Sequence, residues 1–418
     1  MGAYRFFENS KVSMEVILTG HIEATIERIK EHDLVLVPQD TTILNYSHHP
    51  TTEGLGPINT RSDQAIGLIL HDTLAFTAQG TPLGILDAQC WARDPKDQGK
   101  RDRRKELPIE QKESMKWLRS FQKVKEVQKL CPETMLVSIG DRESDIYELF
   151  LEARAVPEGP HLLVRADKDR SRKVEEEYLW DFMARRSVAG SLRIHIPHHG
   201  SQKSRDAFVD LRFAEVDLQP PRRLSKNSPV RLWAVFICER DAEETVAEPI
   251  EWMLLTTVAV NCFEEAAQRA EWYSGRWGIE VYHRTLKSGC RIKDRQLQTA
   301  DGLETCLGVD MVVAWRIYYL TMLGRETPTV PCTVFFKDID WKALCCYVNK
   351  TPTPPPQPPS LAEAIRLLGT MGGHLGRKND GSPGTQTLWR GLQRLDTATE
   401  MFTILMPETS PHPHQSGP

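Results

Sequence analysis

Four residues whose types suit phosphodiester chemistry lie in the stretch from Trp272 to Gly289, WYSGRWGIEVYHRTLKSG: Tyr273, Arg276, Glu280 and Lys287, at spacings of three, four and seven. On an α-helix these intervals put an aromatic hydroxyl, two cations and one carboxylate on a single face. A second stripe, Trp272, Ile279, Tyr282 and Leu286, is apolar. The helix is therefore expected to pack on a core and turn its charged face to a cleft. A carboxylate can hold a divalent cation, and fixed cations beside it can grip the phosphates flanking a scissile bond. The same spacing also describes a solvated helix face with an incidental Glu and Lys pair, and spacing alone does not separate the two.

Two further carboxylates follow apolar runs that read as buried strands. Asp40, in Gln39-Asp40-Thr41-Thr42, comes after Asp33 to Pro38, and Asp141, opening Asp141-Arg142-Glu143-Ser144-Asp145-Ile146-Tyr147-Glu148, comes after Met135 to Ile139. A carboxylate at the end of a buried strand is well held for metal binding. An Asp before two Thr also describes a turn or a helix cap.

The Tyr-x2-Arg-x3-Glu-x6-Lys spacing, with an aspartate in each of these two contexts upstream, resembles the signature of the insertion-sequence-four family (transposon-five type) of DDE cut-and-paste transposases. The resemblance runs from Ala3 to about Phe402. It implies that Asp40, Asp141 and Glu280 are catalytic and hold two Mg²⁺ ions, with Mn²⁺ able to substitute. It further implies nicking, hairpin formation, hairpin opening and strand transfer by one site, with double-stranded DNA, transposon ends and target, as partner. A homodimer is implied in the synaptic complex. Tyr273, Arg276, Arg284 and Lys287 would contact phosphates, with Arg142 and Arg165 behind them. Trp252, in the strand IEWMLLTT, matches a tryptophan that stacks on a flipped base; a strand Trp is also an ordinary core residue. Asp145 and Glu148 are read as capping and solvating their helix. Members of the family carry some fifty residues before the Ala-Tyr-Arg-Phe motif, whereas this sequence opens Met1-Gly2-Ala3-Tyr4. An end-binding-deficient, dominant-negative dimerisation partner is the alternative expectation. A general ribonuclease H-like nuclease would have no use for the Tyr and Arg that precede Glu280.

The elements that must position these residues follow from periodicity. One or two helices are expected over Asn9 to Lys30. Three strands follow, Asp33 to Pro38, Ala65 to Thr77 and Leu83 to Trp91, the last two joined by the hairpin signal Ala78-Gln79-Gly80-Thr81-Pro82. Then come a helix within Pro108 to Leu130, the strand before Asp141, an acidic helix from Ser144 to Ala153 and a strand at His161 to Val164. This order is that of a ribonuclease H-like α/β core. Alternating segments at Ala207 to Leu218, Val230 to Cys238 and Glu251 to Val258 read as a β-strand insertion before the glutamate helix, and a helical region closes the chain. The expected division is 1–32, remnant of an N-terminal helical region; 33–190, first part of the core; 191–260, β insertion; 261–300, glutamate helix; 301–405, C-terminal helical dimerisation region; and 406–418, disordered tail.

Composition bounds the rest. At 418 residues, 40% hydrophobic and 26% charged, the chain has the make-up of a globular protein, either one large domain with insertions or two domains. No run of eighteen apolar residues and no signal peptide stand in the sequence, so a cytoplasmic, bacterial protein with no membrane partner is expected. The nine cysteines lack C-x-x-C spacing, and His48 and His49 lack a third ligand nearby, which argues against a zinc site. A net charge of −4 masks local basic runs: Arg93 to Lys129 holds thirteen Lys and Arg against seven Asp and Glu. Such a run is either a DNA track or solvated surface. The loop GHLGRKNDG lacks Walker A spacing, and nucleotide binding is rejected. Thr351 to Ser360, TPTPPPQPPS, reads as a stiff linker or exposed loop.

Overall fold

Strand β1 (Leu34–Asn45) begins in the apolar run before Asp40 and continues five residues past it. The expected strand ended near Asp40. The observed one is longer because Gln39 to Asn45 keep an antiparallel partner in β3 (Ile66–Thr77), while only Leu34 to Pro38 pair, in parallel, with β5 (Met135–Gly140). The short β2 (Gly56–Pro57) and β4 (Pro82–Trp91) flank β3, and β6 (His161–Arg165) pairs in parallel with β5. In the computed structural model, residues 2–59, 65–97, 107–196, 205–240, 249–377 and 380–405 are described. Residues 98–106 of the basic run, the segments 197–204 and 241–248 of the expected insertion, and the tail from 406 lie outside them.

The expected insertion does not stand apart. β9 (Gly190–Ile196), β10 (Arg205–Leu218), β11 (Val230–Glu239) and β12 (Glu251–Thr256) are antiparallel neighbours, and β12 pairs with β6. With the two-residue β7 (Lys173–Val174) and β8 (Glu177–Tyr178) they extend a single sheet of twelve strands among the described residues. The physical reason is β6: with β5 on one side only, its other edge would leave backbone groups unpaired, and β12 satisfies them.

Alternation assigns the two faces of this sheet. Leu36, Val137, Ile139, Leu163 and Leu254 point to one face, where Ala266, Trp272 and Tyr273 of α6 (Phe263–Gly275) cover them. Opposite them, helix α3 (Met115–Leu130), α4 (Tyr147–Arg154) and α5 (Leu179–Ala184) bury Trp117, Phe121, Phe150 and Met183. Over Asn9 to Lys30, where one or two helices were expected, one forms, α2 (Met14–Ile29), and the short α1 (Gly2–Phe7) precedes it. Ile29 of α2 joins Val35, Val37 and Leu136 in a core shared with α3. Gly84 (φ +155°) lets β4 approach Thr25, whose Oγ1 would sit 1.9 Å from an added Cβ.

The chain forms two compact units, 1–281 with 295–309, and 282–294 with 310–418. The glutamate helix α7 (Trp277–Arg284) and the long α8 (Ala300–Glu326) each contribute residues to both units. α8 is long and apolar enough in composition to span a membrane, but half of its most apolar stretch is buried in the protein, as in a core helix. In the second unit, α9 (Asp338–Asn349), α10 (Leu361–Met371) and α11 (Thr385–Leu405) pack together. Gly324 admits Ile365, and Gly391 lies against the Leu368 carbonyl, where a Cβ would come within 2.3 Å. The Pro-rich segment ends tied down: Pro359 accepts from the Cys332 amide at 2.9 Å, and Ser360 caps α10.

The chain turns from β5 into the Asp141 loop at Gly140. A Cβ there would sit 2.5 Å from Cβ and 2.1 Å from Oγ of the fully buried Ser144. Gly140→Ala is expected to cost about 1–3 kcal/mol in denaturant unfolding. An unchanged midpoint would show that the turn relaxes freely.

Candidate active site

Strand alternation and register bring the sequence-selected residues to one face. Asp40 shares the parity of Leu36, and Asp141 that of Val137 and Ile139, so both side chains are directed to the α6 side. The parallel register Pro38↔Ile139, carried two residues further, sets Asp40, midway along β1, beside Asp141, just past the carboxyl end of β5. Arg165 and Trp252 emerge on this same side, from β6 and β12, by the parity of Leu163 and Leu254. Gly278 of α7 lies on Phe76 of β3, with a Cβ position 2.8 Å from the ring, which brings Glu280 over the sheet.

The expected single helix from Trp272 to Gly289 is interrupted. α6 ends at Gly275, and three-residue bonds close on either side of Arg276, from its amide to the Tyr273 carbonyl and from the Ile279 amide to the Arg276 carbonyl, each 3.1 Å. A helix-interior glycine costs about 1 kcal/mol, which favours a break here. A π-helical turn, Thr285–Gly289, then follows α7. Such turns widen the helix and are frequent at functional sites. The apolar stripe is buried as expected at Trp272, Ile279, Tyr282 and Leu286.

Arg276 is the centre of the arrangement. Its Nη2 donates to Glu280 Oε1 at 2.5 Å, and its Nη1 lies 3.5 Å from Asp40 Oδ2. Burial works against the guanidinium charge, but Tyr273, Asp40, Glu280 and Asp141 together hold its pKa above the ordinary value. One cation thus answers three carboxylates. Burial pushes the Asp141 carboxyl up and the Glu143 charge adds to this, while the Glu143 amide, Arg276 and Lys116 pull it down. Asp141 Oδ1 accepts from that amide at 2.9 Å.

An aromatic and cationic wall adjoins the carboxylates. The half-buried Trp252 ring stands edge-on to Tyr273 at 5.3 Å between centroids, and the Arg165 guanidinium lies 5.8 Å over Trp252. Burial pushes the Tyr273 hydroxyl up, while the Arg276 and Arg165 cations pull it down. Arg142 is exposed beside Asp141. Arg284, exposed, and Lys287, half-buried in the π-helical turn, belong to the second unit.

Some features were not foreseen. Asp72 stands directly across from Asp40 in the antiparallel ladder and is fully buried. His71 beside it reaches the other face, with Nδ1 2.9 Å from Thr41 Oγ1 and its ring edge-on to Trp117. The signal was available: a His-Asp pair interrupting the apolar run IGLILHDTLAFT. Lys116, 8% exposed, sets Nζ 3.3 Å from Glu143 and was hidden among many lysines of the basic run. The reading of Asp145 as solvating is corrected. It is fully buried, and Arg172 holds it through Nε at 2.9 Å while the Asp167 amide donates at 2.9 Å. Glu148 is paired with Arg223.

As arranged, no three His, Cys, Asp or Glu side chains among the described residues stand close enough to hold a metal ion. The expected approach of Asp40, Asp141 and Glu280 to metal-bridging distance is therefore not reached, because the Arg276 guanidinium lies between Asp40 and Glu280. The donor set, three carboxylates, still fits a hard divalent cation in kind.

Because the folded state holds the Asp141 proton more tightly than the unfolded chain, this carboxyl favours folding at low pH, and that contribution is lost as pH rises through the folded pKa. Asp141→Asn removes the penalty. It is expected to raise the melting temperature at pH 7–8 by on the order of 2 °C. The gap should close below the unfolded Asp value of about 4. Thermal melts across this range check the sign, and a variant melting below the parent at pH 8 would contradict it.

Residues 312–403 match the family model described as the Transposase Tn5 dimerisation domain. Among solved structures, the chain is similar to the piggyBac transposase in a synaptic complex with hairpin DNA, determined by cryo-electron microscopy. The identity is 10% and the TM-score 0.35, over 92% of this chain and 61% of that one. The present chain thus spans under two thirds of that protein's length, and a likeness this distant adds nothing to the reading of the site. The dimerisation-domain match covers 92 of the chain's 418 residues, on the helices of its second unit.

Proposed function

We propose that this chain is a DNA transposase of the DDE cut-and-paste type, with Asp40, Asp141 and Glu280 as its catalytic carboxylates on a ribonuclease H-like core. The observation that carries the reading is the shared guanidinium: Arg276 contacts Asp40 and Glu280 and feels Asp141, so carboxylates from β1, from the end of β5 and from α7 answer one positive charge. The order of elements, three antiparallel strands, helix, strand, helix, strand and later the glutamate helix, is further support. So is the dimerisation-domain match, because a synaptic complex needs paired protomers.

In this reading Asp40, Asp141 and Glu280 would hold Mg²⁺ once Arg276, which now contacts Asp40 and Glu280, turned toward the DNA phosphates. A divalent ion there supplies Lewis-acid polarisation of the phosphoryl oxygens. Water attacks phosphorus and the bond to the 3′ oxygen breaks, freeing a 3′-hydroxyl; that hydroxyl then attacks a second phosphodiester, forming a new P–O bond as that phosphodiester's own bond to its 3′ oxygen breaks and the leaving oxygen takes up the proton. Tyr273, Arg276 and Arg165 grip phosphates. Trp252, held edge-on by Tyr273, offers a face on which an extruded base stacks. Arg142, Arg284 and Lys287 are assigned phosphate contacts from the sequence pattern.

Alanine at Asp40, Asp141 or Glu280 is expected to lower Mg²⁺-dependent plasmid nicking by at least about 10²-fold. DNA binding by gel shift should be retained. Normal nicking by Glu280→Ala would end the assignment. Trp252→Ala should slow hairpin formation more than the first nick, since unstacking a base costs a few kcal/mol that the indole must offset. Equal slowing of both steps in single-turnover kinetics would make Trp252 a packing residue only.

A further inference from the structure

A pocket of about 290 Å³ in the second unit is lined by charge of one sign. Arg325 comes from the end of α8, Arg366 from α10, and His374 and Arg377 from the loop between α10 and α11. No acidic side chain is among its described lining residues. The nearest counter-charge identified for Arg366 is Glu363, one turn earlier on α10, at 3.8 Å with both side chains at least half exposed, which is a weak pair. The loop that closes the pocket contains Gly376 (φ +62°) and Gly381 (φ +63°), left-handed positions that let backbone line the cavity without a Cβ in the way. The position of α10 is fixed by Gly324, where an added Cβ would come 2.2 Å from Ile365 Cδ1.

Three arginines from three segments line one concavity, and guanidiniums carry planar forks of N–H donors, which match phosphate oxygens in geometry as well as charge. Like charges gathered this way repel unless an anion is shared among them. We propose that this pocket binds a phosphate group, held by Arg325, Arg366 and Arg377 with His374 as an additional hydrogen-bond partner. The site lies within the matched dimerisation domain and is independent of the carboxylate chemistry. It also differs from nucleotide binding by a Walker A loop, because side-chain forks from three segments, in place of a glycine-rich backbone cradle, would take the phosphate.

The phosphate could belong to a small molecule or to a nucleic-acid backbone, and the test separates them. Inorganic pyrophosphate is titrated into the full chain by calorimetry, and a short duplex DNA is followed by fluorescence anisotropy. Both are repeated with Arg366→Gln/Arg377→Gln and with the charge-matched control Arg291→Gln/Arg390→Gln, whose residues lie outside the pocket. A loss of about tenfold or more confined to the pocket variant is expected. Seen with pyrophosphate, it assigns a small phosphorylated ligand. Seen only with duplex, it assigns a backbone phosphate. Unchanged affinities for both probes, or an equal loss in the control, overturns the proposal. Should the pocket variant fail to fold by circular dichroism, the His374 imidazole resonances of the unaltered chain provide the readout. Resonances that stay put on saturation with pyrophosphate and with duplex overturn the site.

Discussion

Carboxylates gathered on one face of a sheet repel one another, and the fold must answer that repulsion before it can do anything else. At about 4 Å and an effective dielectric near 20, two like charges cost roughly 4 kcal/mol. Asp40, Asp141 and Glu280 act on one guanidinium here, and Asp72 stands across from Asp40. Arg276 can meet them because the helix breaks at Gly275 and tightens around it, and because Tyr273 and Arg165 build the wall beside it. Destabilised carboxyls held against their preference are what a stability and activity trade-off looks like at the level of single groups. The raised pKa of Asp141 is a local sign of that cost.

Much of this was legible in the sequence because it depends on short-range periodicity. Period two in Leu34–Pro38 and Met135–Gly140 directs Asp40 and Asp141 to the same face. The apolar runs either side of Asp141 identified their strands, and the helix at Met115–Leu130 followed from its apolar spacing. What could not be read was decided by partners distant in sequence. β1 continues past Asp40 because β3 pairs with it, and no local signal records that pairing. Asp145 looked like a surface cap until Arg172 folded over it. The guanidinium between Asp40 and Glu280 depends on a break at Gly275 that a uniform 100° wheel cannot represent.

The strands read as an insertion show the same dependence on distant partners. Their alternation was plain, yet alternation is equally compatible with a separate sandwich and with the edge of a larger sheet. The edge of β6 decided between them. By taking β12 there, the fold carries Trp252 in on a strand next to the one that carries Arg165, so a residue far along the chain comes to lie against Tyr273.

That pairing also has a timetable. Arg165 at the end of β6 and Glu251 at the start of β12 are 86 residues apart. At roughly 5–20 residues per second of synthesis, β6 leaves the ribosome some 4–17 s before its second neighbour exists. During this interval the apolar Leu162, Leu163 and Val164 sit on a bare edge with unpaired backbone groups, the arrangement that templates strand addition between chains. The nascent protein is thus most open to misassembly midway through translation, after the two aspartates have been made and before the glutamate that completes the set.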